Sequence, residues 1–271
     1  LALFRTGPES WRLMWSFHHI LIEGWSASIV LNEVLDRYRA LVSGGELTLA
    51  EHRPYRDFVS WIQEQDPAVA EAYWRGELAG FSSPTHLGVD LAPVSLHAPV
   101  LHYDGTSIAL SESETTALTT FAQTHGLTMN TLVHGAWALM LSCYSGEDDV
   151  LFGTIVSGRS VPLKGADTMI GLFTNILPSR VSVPPDASLI PWLKDLQARA
   201  ARQREFEYCP LVEVKAFSDV SAGLPLFESL LVFENWTGDL TASDWGGELA
   251  VTDVHGHHGA PGHPLSAVII P

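Results

Sequence analysis

The sequence predicts a mixed α/β fold divided into two lobes. Segments in which apolar residues recur at every second position, as in strands, are interspersed with segments in which they recur every three to four positions, as in helices. Three prolines interrupt residues 80–100, which makes this stretch the expected boundary. With 271 residues, 46% of them hydrophobic, the chain is long enough to give each lobe a core. We therefore expect one lobe over residues 1–90 and a second over residues 91–271.

The first lobe is predicted to contain a strand over residues 11–17 followed by three helices. Alternate positions of this strand carry its large apolar side chains, Trp11, Leu13, Trp15 and Phe17, so that one face is expected to be buried. Ser26 can cap a helix that reaches about Val42 and ends at the glycines that follow. The helices predicted over 54–65 and 67–78 each begin with a proline in the first turn.

The second lobe is predicted to begin with a strand near residues 106–110 and to contain three helices. Ser111 and Glu114 form a capping box for the first helix, which extends to Thr124. The other two are an apolar helix over 128–144 and a long amphipathic helix over 186–207. Further strands complete a sheet over residues 149–157, 176–183, 227–234, 249–254 and 265–270.

Charge and composition argue against two classes of partner. The formal net charge of −16 argues against nucleic acid, whose binding needs a basic surface. No segment has the run of about 18 apolar residues that a membrane span needs, and the start of the chain does not resemble a signal peptide. Cys143 and Cys209 are too few for a disulfide framework, so we expect a reducing, cytoplasmic setting.

Because the chain stops inside an apolar, strand-like run, we also expect it to be a fragment of a longer domain.

Two adjacent histidines after the first predicted strand are the main candidates for chemistry. A positioned imidazole titrates near neutral pH and can accept or relay a proton in acyl transfer. Continuing the strand alternation places His19 on the apolar face and His18 on the opposite face. Glu23 can brace the turn by a salt bridge or by hydrogen bonds to backbone amides, and Gly24 permits a tight turn. These residues alone leave open a pair of structural histidines or a zinc site, although the spacing lacks the His-Glu-x-x-His arrangement.

A second group of histidines lies in a glycine-rich stretch near the end of the chain. Its members are His255, His257, His258 and His263. Such a group can bind a metal, but the composition also suits a flexible loop. We expect no metal site.

Several motifs occur in the order in which one protein family carries them. Residues 18–26 read His-His-Ile-Leu-Ile-Glu-Gly-Trp-Ser, residues 55–61 read Tyr-Arg-Asp-Phe-Val-Ser-Trp, and residues 170–180 read Ile-Gly-Leu-Phe-Thr-Asn-Ile-Leu-Pro-Ser-Arg. They resemble the His-His-x-x-x-Asp-Gly-Trp-Ser, Tyr-x-Asp-Phe/Tyr-Ala-x-Trp and Gly-x-Phe-x-Asn-Thr-x-Pro-x-Arg motifs of the condensation domains of nonribosomal peptide synthetases. Other matches lie at residues 149–159, 210–211, 227–235 and 263–266. The resemblance covers essentially the whole chain.

Three features depart from the family pattern. Glu23 stands where the family usually has aspartate, which adds one methylene and keeps the charge. Ile176 stands where threonine is common. The family's earlier motifs, including the arginine that pairs with the motif acid, and its strands beyond Pro271 do not occur in this sequence.

The resemblance implies a fold like that of chloramphenicol acetyltransferase, with two α/β lobes that meet in a V around a channel. Residues 1–90 would be the end of the N-terminal lobe and residues 91–271 most of the C-terminal lobe. The implied reaction is attack of an acceptor α-amine on a donor thioester, which forms a peptide bond. Upstream and downstream carrier proteins would deliver both substrates on phosphopantetheine, next to an adenylation domain, and the domain itself would hold no cofactor and no metal.

The resemblance also assigns roles to single residues. His19 corresponds to the catalytic histidine, as a general base or as a group that stabilises and positions the tetrahedral intermediate. His18 and Glu23 would orient the motif, and the Gly24 amide would approach the reacting carbonyl. Candidates for the channel wall, each equally compatible with an ordinary turn or strand end, are Ser157, Arg159, Asn175 and Ser266.

Other activities remain open within the same resemblance. The Gly-Trp-Ser and Leu-Val-Phe-Glu-Asn sequences are typical of domains that join two L-configured residues. An epimerising relative shares the two histidines, whereas a heterocyclising relative would carry paired aspartates. A degenerate domain that only recruits partner proteins is the alternative from another class. Other acyltransferases of the superfamily would show an Asp-Phe-Gly-Trp-Gly element, which this sequence lacks.

Overall fold

The computed structural model describes residues 1–48, 50–87, 104–234, 250–253 and 262–270. Within these ranges the chain forms two compact units, and neither is one continuous stretch. The described residues of the first unit lie within Leu1–Glu64, Pro162–Thr174 and Trp236–His255, and those of the second lie within Gln65–Val161, Asn175–Asn235 and Gly256–Pro271. Residues 65–87 therefore group with the second unit and Pro162–Thr174 with the first, unlike a single division at residue 90. The assignment of residues to the two family lobes stays a prediction.

The first unit begins with a two-stranded antiparallel ribbon. Strand β1, Ala2–Arg5, pairs with β2, Trp11–Met14, and Thr6 and Gly7 close the turn on the Ser10 carbonyl. The strand predicted over 11–17 is therefore shorter than expected. Both of its faces are exposed, which corrects the prediction of a buried face. Alternation shows which side chains share a face, but burial also needs a second layer, and the described residues of this unit provide none.

Helix α1, Gly24–Ser43, follows the histidines, and its N-cap is Glu23 rather than the predicted Ser26. Ser26 lies within the first turn and is completely buried. Gly44 ends the helix in the left-handed conformation, with φ 70°, as predicted. Helix α2 spans Arg56–Gln63, inside the predicted range.

The described residues of the second unit form five α-helices. They are α3 Pro67–Leu78, α4 Glu112–His125, α5 Met129–Ser145, α6 Leu189–Gln203 and α7 Leu211–Ala216. The capping box of Ser111 and Glu114 is confirmed, with both of its hydrogen bonds present. Helix α6 passes into a 3-10 turn, Arg204–Phe206, and so ends before the predicted limit near Glu207. Helix α7 was not predicted, because six residues are too few to show a periodic pattern.

A four-stranded sheet runs through the second unit. Its strands are β3 Asp149–Val156, β4 Asn175–Ser182, β5 Ser229–Phe233 and β6 Leu265–Ile269, in the order β4-β3-β5-β6. β4 is antiparallel to β3, while β5 is parallel to both β3 and β6. These four strands confirm four of the six strands predicted for this part of the chain.

The central strand β3 is buried on both faces. Leu151 packs into a core with Trp74 of α3, whereas Val150 and Phe152 pack into another core with Leu141 of α5. All five side chains are fully buried. Because neighbouring residues point to opposite faces, two helical layers cover the sheet, and its central strand reads as a continuous apolar run.

Two predicted strands are absent from the described residues. Residues 106–110 have no regular secondary structure and are exposed. Residues 250–253 are also irregular, while Leu249 and Val254 lie outside the described residues. Both segments have strand-like composition, but a strand also needs a hydrogen-bonding partner at its edge, which composition does not supply.

Candidate active site

The two histidines lie in a turn after β2 and outside the strand. The Leu21 amide donates to the His18 carbonyl oxygen at 3.0 Å, and the Ile20 amide donates to His18 Nδ1 at 3.1 Å. Both histidines are exposed. The prediction that strand alternation separates them onto a buried and an opposite face is therefore wrong, because β2 ends at Met14.

Local hydrogen bonding nevertheless distinguishes the two imidazoles. The His18 ring is engaged, since Nδ1 accepts a hydrogen bond from the Ile20 amide of its own turn. The His19 ring makes no hydrogen bond with the residues that the structure describes. Of the pair, only His18 is therefore held by a hydrogen bond to the described residues.

Glu23 fixes the end of this turn as the cap of α1. Its carboxylate accepts from the Trp25 amide at 2.8 Å through Oε2 and from the Ser26 amide at 3.2 Å through Oε1. Only 6% of Glu23 is exposed. A negative charge at a helix N-terminus is favourable, and here it also satisfies amides that lack a partner within the helix. Of the two bracing modes considered for Glu23, hydrogen bonds to backbone amides are present.

Ser26 connects the motif to a distant part of the sequence. Its hydroxyl donates to Glu23 Oε1 at 2.9 Å or to the Gly171 carbonyl oxygen at 2.8 Å, and it accepts from the Gly171 amide at 3.0 Å. Trp25, which is exposed rather than in the core, donates from Nε1 to the Asp167 carbonyl oxygen at 2.9 Å. Residues 162–174 are thereby attached to the first turn of α1.

Tyr55 holds the same segment from a second side. Its hydroxyl donates to the Leu172 carbonyl oxygen, and its ring lies so close to Gly171 that a Cβ there would be 2.1 Å from Tyr55 Cδ2. The Phe173 ring lies tilted against that of Phe58, with 4.4 Å between their centroids, and edge-on to Tyr55 at 5.2 Å. Three sequence motifs, around residues 18–26, 55–61 and 170–174, thus meet in one cluster of the first unit.

A second polar cluster forms in the second unit where β3 and β4 meet. Val156 and Asn175 are opposite each other in the sheet. Asn175 donates from Nδ2 to the carbonyl oxygens of Glu207, at 2.9 Å, and Cys209, at 2.7 Å, and its Oδ1 accepts from the Ile176 amide. The side-chain amide of Asn175 is therefore committed to backbone groups.

Glu207 completes this cluster, and sequence reasoning did not identify it. Its carboxylate accepts from the Gly158 amide at 3.1 Å, and only 4% of the residue is exposed. Burial raises the pKa of Glu207, against the opposing effects of Arg204 and of the Gly158 amide. The available signal was one acid within the otherwise apolar and aromatic run Phe-Glu-Tyr-Cys-Pro-Leu.

The remaining predicted site residues lie in the same unit. Ser157 is exposed beside Gly158, and its Oγ accepts from the Arg159 amide at 3.4 Å. Arg159 is partly buried. Ser266 lies on β6 opposite Leu230, and its buried Oγ has no hydrogen-bond partner among the described residues.

The histidine-rich stretch is described only in part. His263 packs its ring 5.3 Å from Phe227, and burial lowers its pKa. His255, His257 and His258 lie outside the described residues. In the part of the chain that is described, no group of three potential ligands could hold a metal ion, and neither cysteine forms a disulfide. No helix found in those same ranges is long and apolar enough to span a membrane.

Solved structures with the same arrangement of elements define the class of fold. The first condensation domain of the CDA synthetase matches with a TM-score of 0.69 at 21% identity, over 85% of this chain and 50% of that chain. The starter condensation domain of rhizomide synthetase matches with a TM-score of 0.62 at 23% identity, over 80% and 49%. The chain therefore has the chloramphenicol acetyltransferase-like fold of these domains and spans about half of it.

The sequence comparison identifies the family. A family model described as the condensation domain matches residues 1–254, so the chain belongs to the condensation domains of nonribosomal peptide synthetases. A linear gramicidin synthase protein of Brevibacillus parabrevis is 45% identical over 235 residues, and chondramide synthase of Chondromyces crocatus is 38% identical over 273 residues. The matched regions are 87% and 100% of this chain but only 5% and 7% of those much longer proteins.

Proposed function

We propose that the chain takes part in peptide-bond formation between two carrier-bound thioesters, with His19 as its catalytic residue. The observation that carries this proposal is the contrast within the histidine pair. His18 is tied to the backbone of its own turn, whereas the His19 ring is exposed and makes no hydrogen bond with the described residues. The capped helix that follows then holds the turn through the Glu23 carboxylate.

In the proposed reaction, the α-amine of the acceptor attacks the carbonyl carbon of the donor thioester. A C–N bond forms, the C–S bond breaks, and the donor's phosphopantetheine leaves as a thiol. An α-amine has a pKa of about 8, so its deprotonation requires only a weak base such as imidazole. His19 accepts this proton directly or positions the tetrahedral intermediate, and the leaving thiolate takes up a proton. Such general-base help is worth roughly 10² to 10⁴ in rate.

The surrounding residues receive supporting roles in this proposal. Glu23 and His18 orient the turn, and the Gly24 amide lies at its end, where a reacting carbonyl can approach the backbone. Ser157, Arg159 and Ser266 contact substrate in the channel. Asn175 belongs to the same group but contributes through the backbone carbonyls that its amide binds.

The proposal extends to partners and stereochemistry, with family membership in support of the partners. The substrates arrive on the phosphopantetheine arms of an upstream and a downstream carrier protein, with an adenylation domain adjacent, and the domain binds no cofactor of its own. We propose the subtype that joins two L-configured residues, because the chain carries the Gly-Trp-Ser and Leu-Val-Phe-Glu-Asn sequences.

The test is turnover by the full-length protein with loaded donor and acceptor carrier proteins, measured by mass spectrometry of the tethered product. We expect His19→Ala to lower the rate of dipeptide formation by roughly 10² to 10⁴. His125→Ala, a substitution at the end of α4 in the other unit, is the matched control and should leave the rate unchanged. Full turnover by His19→Ala would overturn the assignment. An acceptor that is epimerised without elongation would select the epimerising alternative, and no chemistry with the wild type would select a recruiting domain.

A further inference from the structure

Glu207 is a buried acid that the proposed chemistry does not use. It follows the 3-10 turn at the end of α6, and its carboxylate accepts from the Gly158 amide at 3.1 Å. Burial raises the pKa of this group, so the anion is less favourable here than in water. A buried acid that costs stability is kept only where another requirement outweighs that cost.

The backbone of Glu207 is held independently of its side chain. Asn175, the first residue of β4, donates from Nδ2 to the carbonyl oxygens of Glu207 and Cys209. Val156, the last residue of β3, pairs with Asn175 across the sheet. The start of β4 therefore fixes the position from which the Glu207 carboxylate reaches the chain leaving β3.

Gly158 occupies the centre of that exit turn. It has φ 65°, a left-handed conformation that favours glycine, and it is buried although Ser157 beside it is exposed. Ser157 Oγ accepts from the Arg159 amide across the same turn. The backbone of Gly158 consequently sets the directions in which the side chains of Ser157 and Arg159 leave the sheet.

We propose that Glu207 is a positioning residue whose carboxylate, by binding the Gly158 amide, orients Ser157 and Arg159 toward the substrate. This inference rests on the proposed function, because it needs Ser157 and Arg159 to face the reacting substrates. For this role, position 207 must place an acceptor oxygen within hydrogen-bonding distance of the Gly158 amide. The negative charge itself is dispensable.

Two conservative substitutions separate reach from charge. Glu207→Gln keeps an oxygen at the same distance and removes the charge, whereas Glu207→Asp keeps the charge and shortens the side chain by one methylene. In the full-length protein we expect Glu207→Gln to condense within roughly twofold of the wild-type rate. Glu207→Asp should condense at least tenfold more slowly than the wild type, because displacement of substrate-contacting groups by about 1 Å can lower a rate by up to 10²-fold. Glu207→Ala should behave as Glu207→Asp.

Amide hydrogen exchange distinguishes positioning from a loss of stability. Exchange should accelerate at residues 157–159 in Glu207→Asp and return to the wild-type rate in Glu207→Gln. The control is Val181→Ala, a core truncation on β4 that lowers thermal stability without touching the turn, and its rate per folded molecule should equal that of the wild type.

Three results would overturn the proposal: wild-type turnover by Glu207→Asp, equal loss in Glu207→Gln and Glu207→Asp, or a loss that Val181→Ala reproduces. His19→Ala is assayed in parallel to separate this inference from the proposed function. If His19→Ala is inactive while Glu207→Asp is normal, only the role of Glu207 fails. If His19→Ala turns over normally, the catalytic assignment itself has failed.

Discussion

The Ser26 hydroxyl lies 2.8 Å from the carbonyl oxygen and 3.0 Å from the amide nitrogen of Gly171, a residue 145 positions further along the chain. This buried hydroxyl accepts from the Gly171 amide, and its single hydrogen is donated either to the Gly171 carbonyl oxygen or to the Glu23 carboxylate that caps α1, 2.9 Å away. The serine that ends the His-His motif and the glycine that begins the Gly-x-Phe motif consequently form a single local structure. Their joint occurrence in the sequence has a direct structural reason.

Removal of the Ser26 hydroxyl should destabilise the first unit. Ser26→Ala removes the acceptor of the buried Gly171 amide and the donor that the Gly171 carbonyl oxygen shares with Glu23, and an unpaired buried polar group costs about 1–3 kcal/mol. Denaturant unfolding followed by tryptophan fluorescence measures the loss. Ser28→Ala is the control, because the Ser28 hydroxyl only donates to the Gly24 carbonyl oxygen on an exposed part of α1. Equal stability of the two variants would contradict the prediction.

Gly171 should tolerate no side chain while Tyr55 is present. An added Cβ would lie 2.1 Å from Tyr55 Cδ2 and 2.5 Å from Cγ, so that the ring would have to move. Overpacking of this kind costs about 1–3 kcal/mol. Gly76→Ala is the contrast, since Gly76 lies on the exposed side of α3 with nothing within 4 Å of an added Cβ, and helix propensity predicts a gain of up to about 1 kcal/mol. Thermal unfolding should show a lower melting temperature for Gly171→Ala and a higher one for Gly76→Ala.

A smaller side chain at position 55 provides a second check on Gly171. Tyr55→Ala removes the atoms that the new methyl group would meet, although it also loses the hydrogen bond to the Leu172 carbonyl oxygen. In a double-mutant cycle, Gly171→Ala should therefore cost less in the Tyr55→Ala background than in the wild type. Additive losses would show that the clash does not determine the effect.

Local signals in the sequence predicted much of the second unit. The capping box of Ser111 and Glu114, the proline that opens α3 and the apolar run of β3 each act on neighbouring residues, so that they can be recognised without knowledge of the fold. The exposed ribbon of β1 and β2 was predicted less well. Whether a strand face is buried depends on elements elsewhere in the chain.

In the candidate site, too, features that depend on neighbouring residues were predicted better than those that depend on distant ones. Resemblance identified the motif turn, and the cap position of Glu23 agrees with a bracing role, but alternation gave the wrong reason for separating His18 from His19. Contacts across long separations had no signal in one sequence. The bond from Ser26 to Gly171 and the bond from Glu207 to Gly158 are of this kind.

Arg180 should not be replaceable by lysine. Its guanidinium binds both carboxylate oxygens of Asp149 at 2.7–3.1 Å and donates to the carbonyl oxygens of Glu77 and Ala79 at the end of α3. A lysine ammonium cannot span these acceptors together. We expect Arg180→Lys to lower the free energy of unfolding by about 1–2 kcal/mol. Arg199→Lys, in an exposed pair with Asp195, is the control.

The control pair should contribute little because both of its side chains reach solvent, Arg199 with 43% and Asp195 with 62% of the side chain exposed. Exposed ion pairs are worth about 0–1 kcal/mol, so Arg199→Lys is expected to change the unfolding free energy by less than about 0.5 kcal/mol. If Arg199→Lys lowered the unfolding free energy as much as Arg180→Lys, the bonds from Arg180 to the carbonyls of α3 would not explain the effect of Arg180→Lys.

His134 should make the stability of the second unit depend on pH. Its Nδ1 donates to the Asn130 carbonyl oxygen at 2.9 Å, so that in the neutral ring Nε2 accepts from the Thr154 hydroxyl at 3.1 Å. Burial holds the pKa of His134 below its ordinary value of 6.5, although the bond to Asn130 opposes this effect. The folded state therefore binds fewer protons than the unfolded state in the pH range just below 6.5.

Because protons bind preferentially to the unfolded chain in that range, the contribution of His134 is fully present above pH 6.5 and declines as the pH falls. The decline is at most about 1.4 kcal/mol per pH unit while the folded imidazole stays neutral. His134→Gln has no such titration, so the stability difference between wild type and variant should shrink from pH 7.5 to pH 5.5. Denaturant unfolding at both pH values measures that difference, and a constant value would show that the imidazole does not titrate differently in the two states.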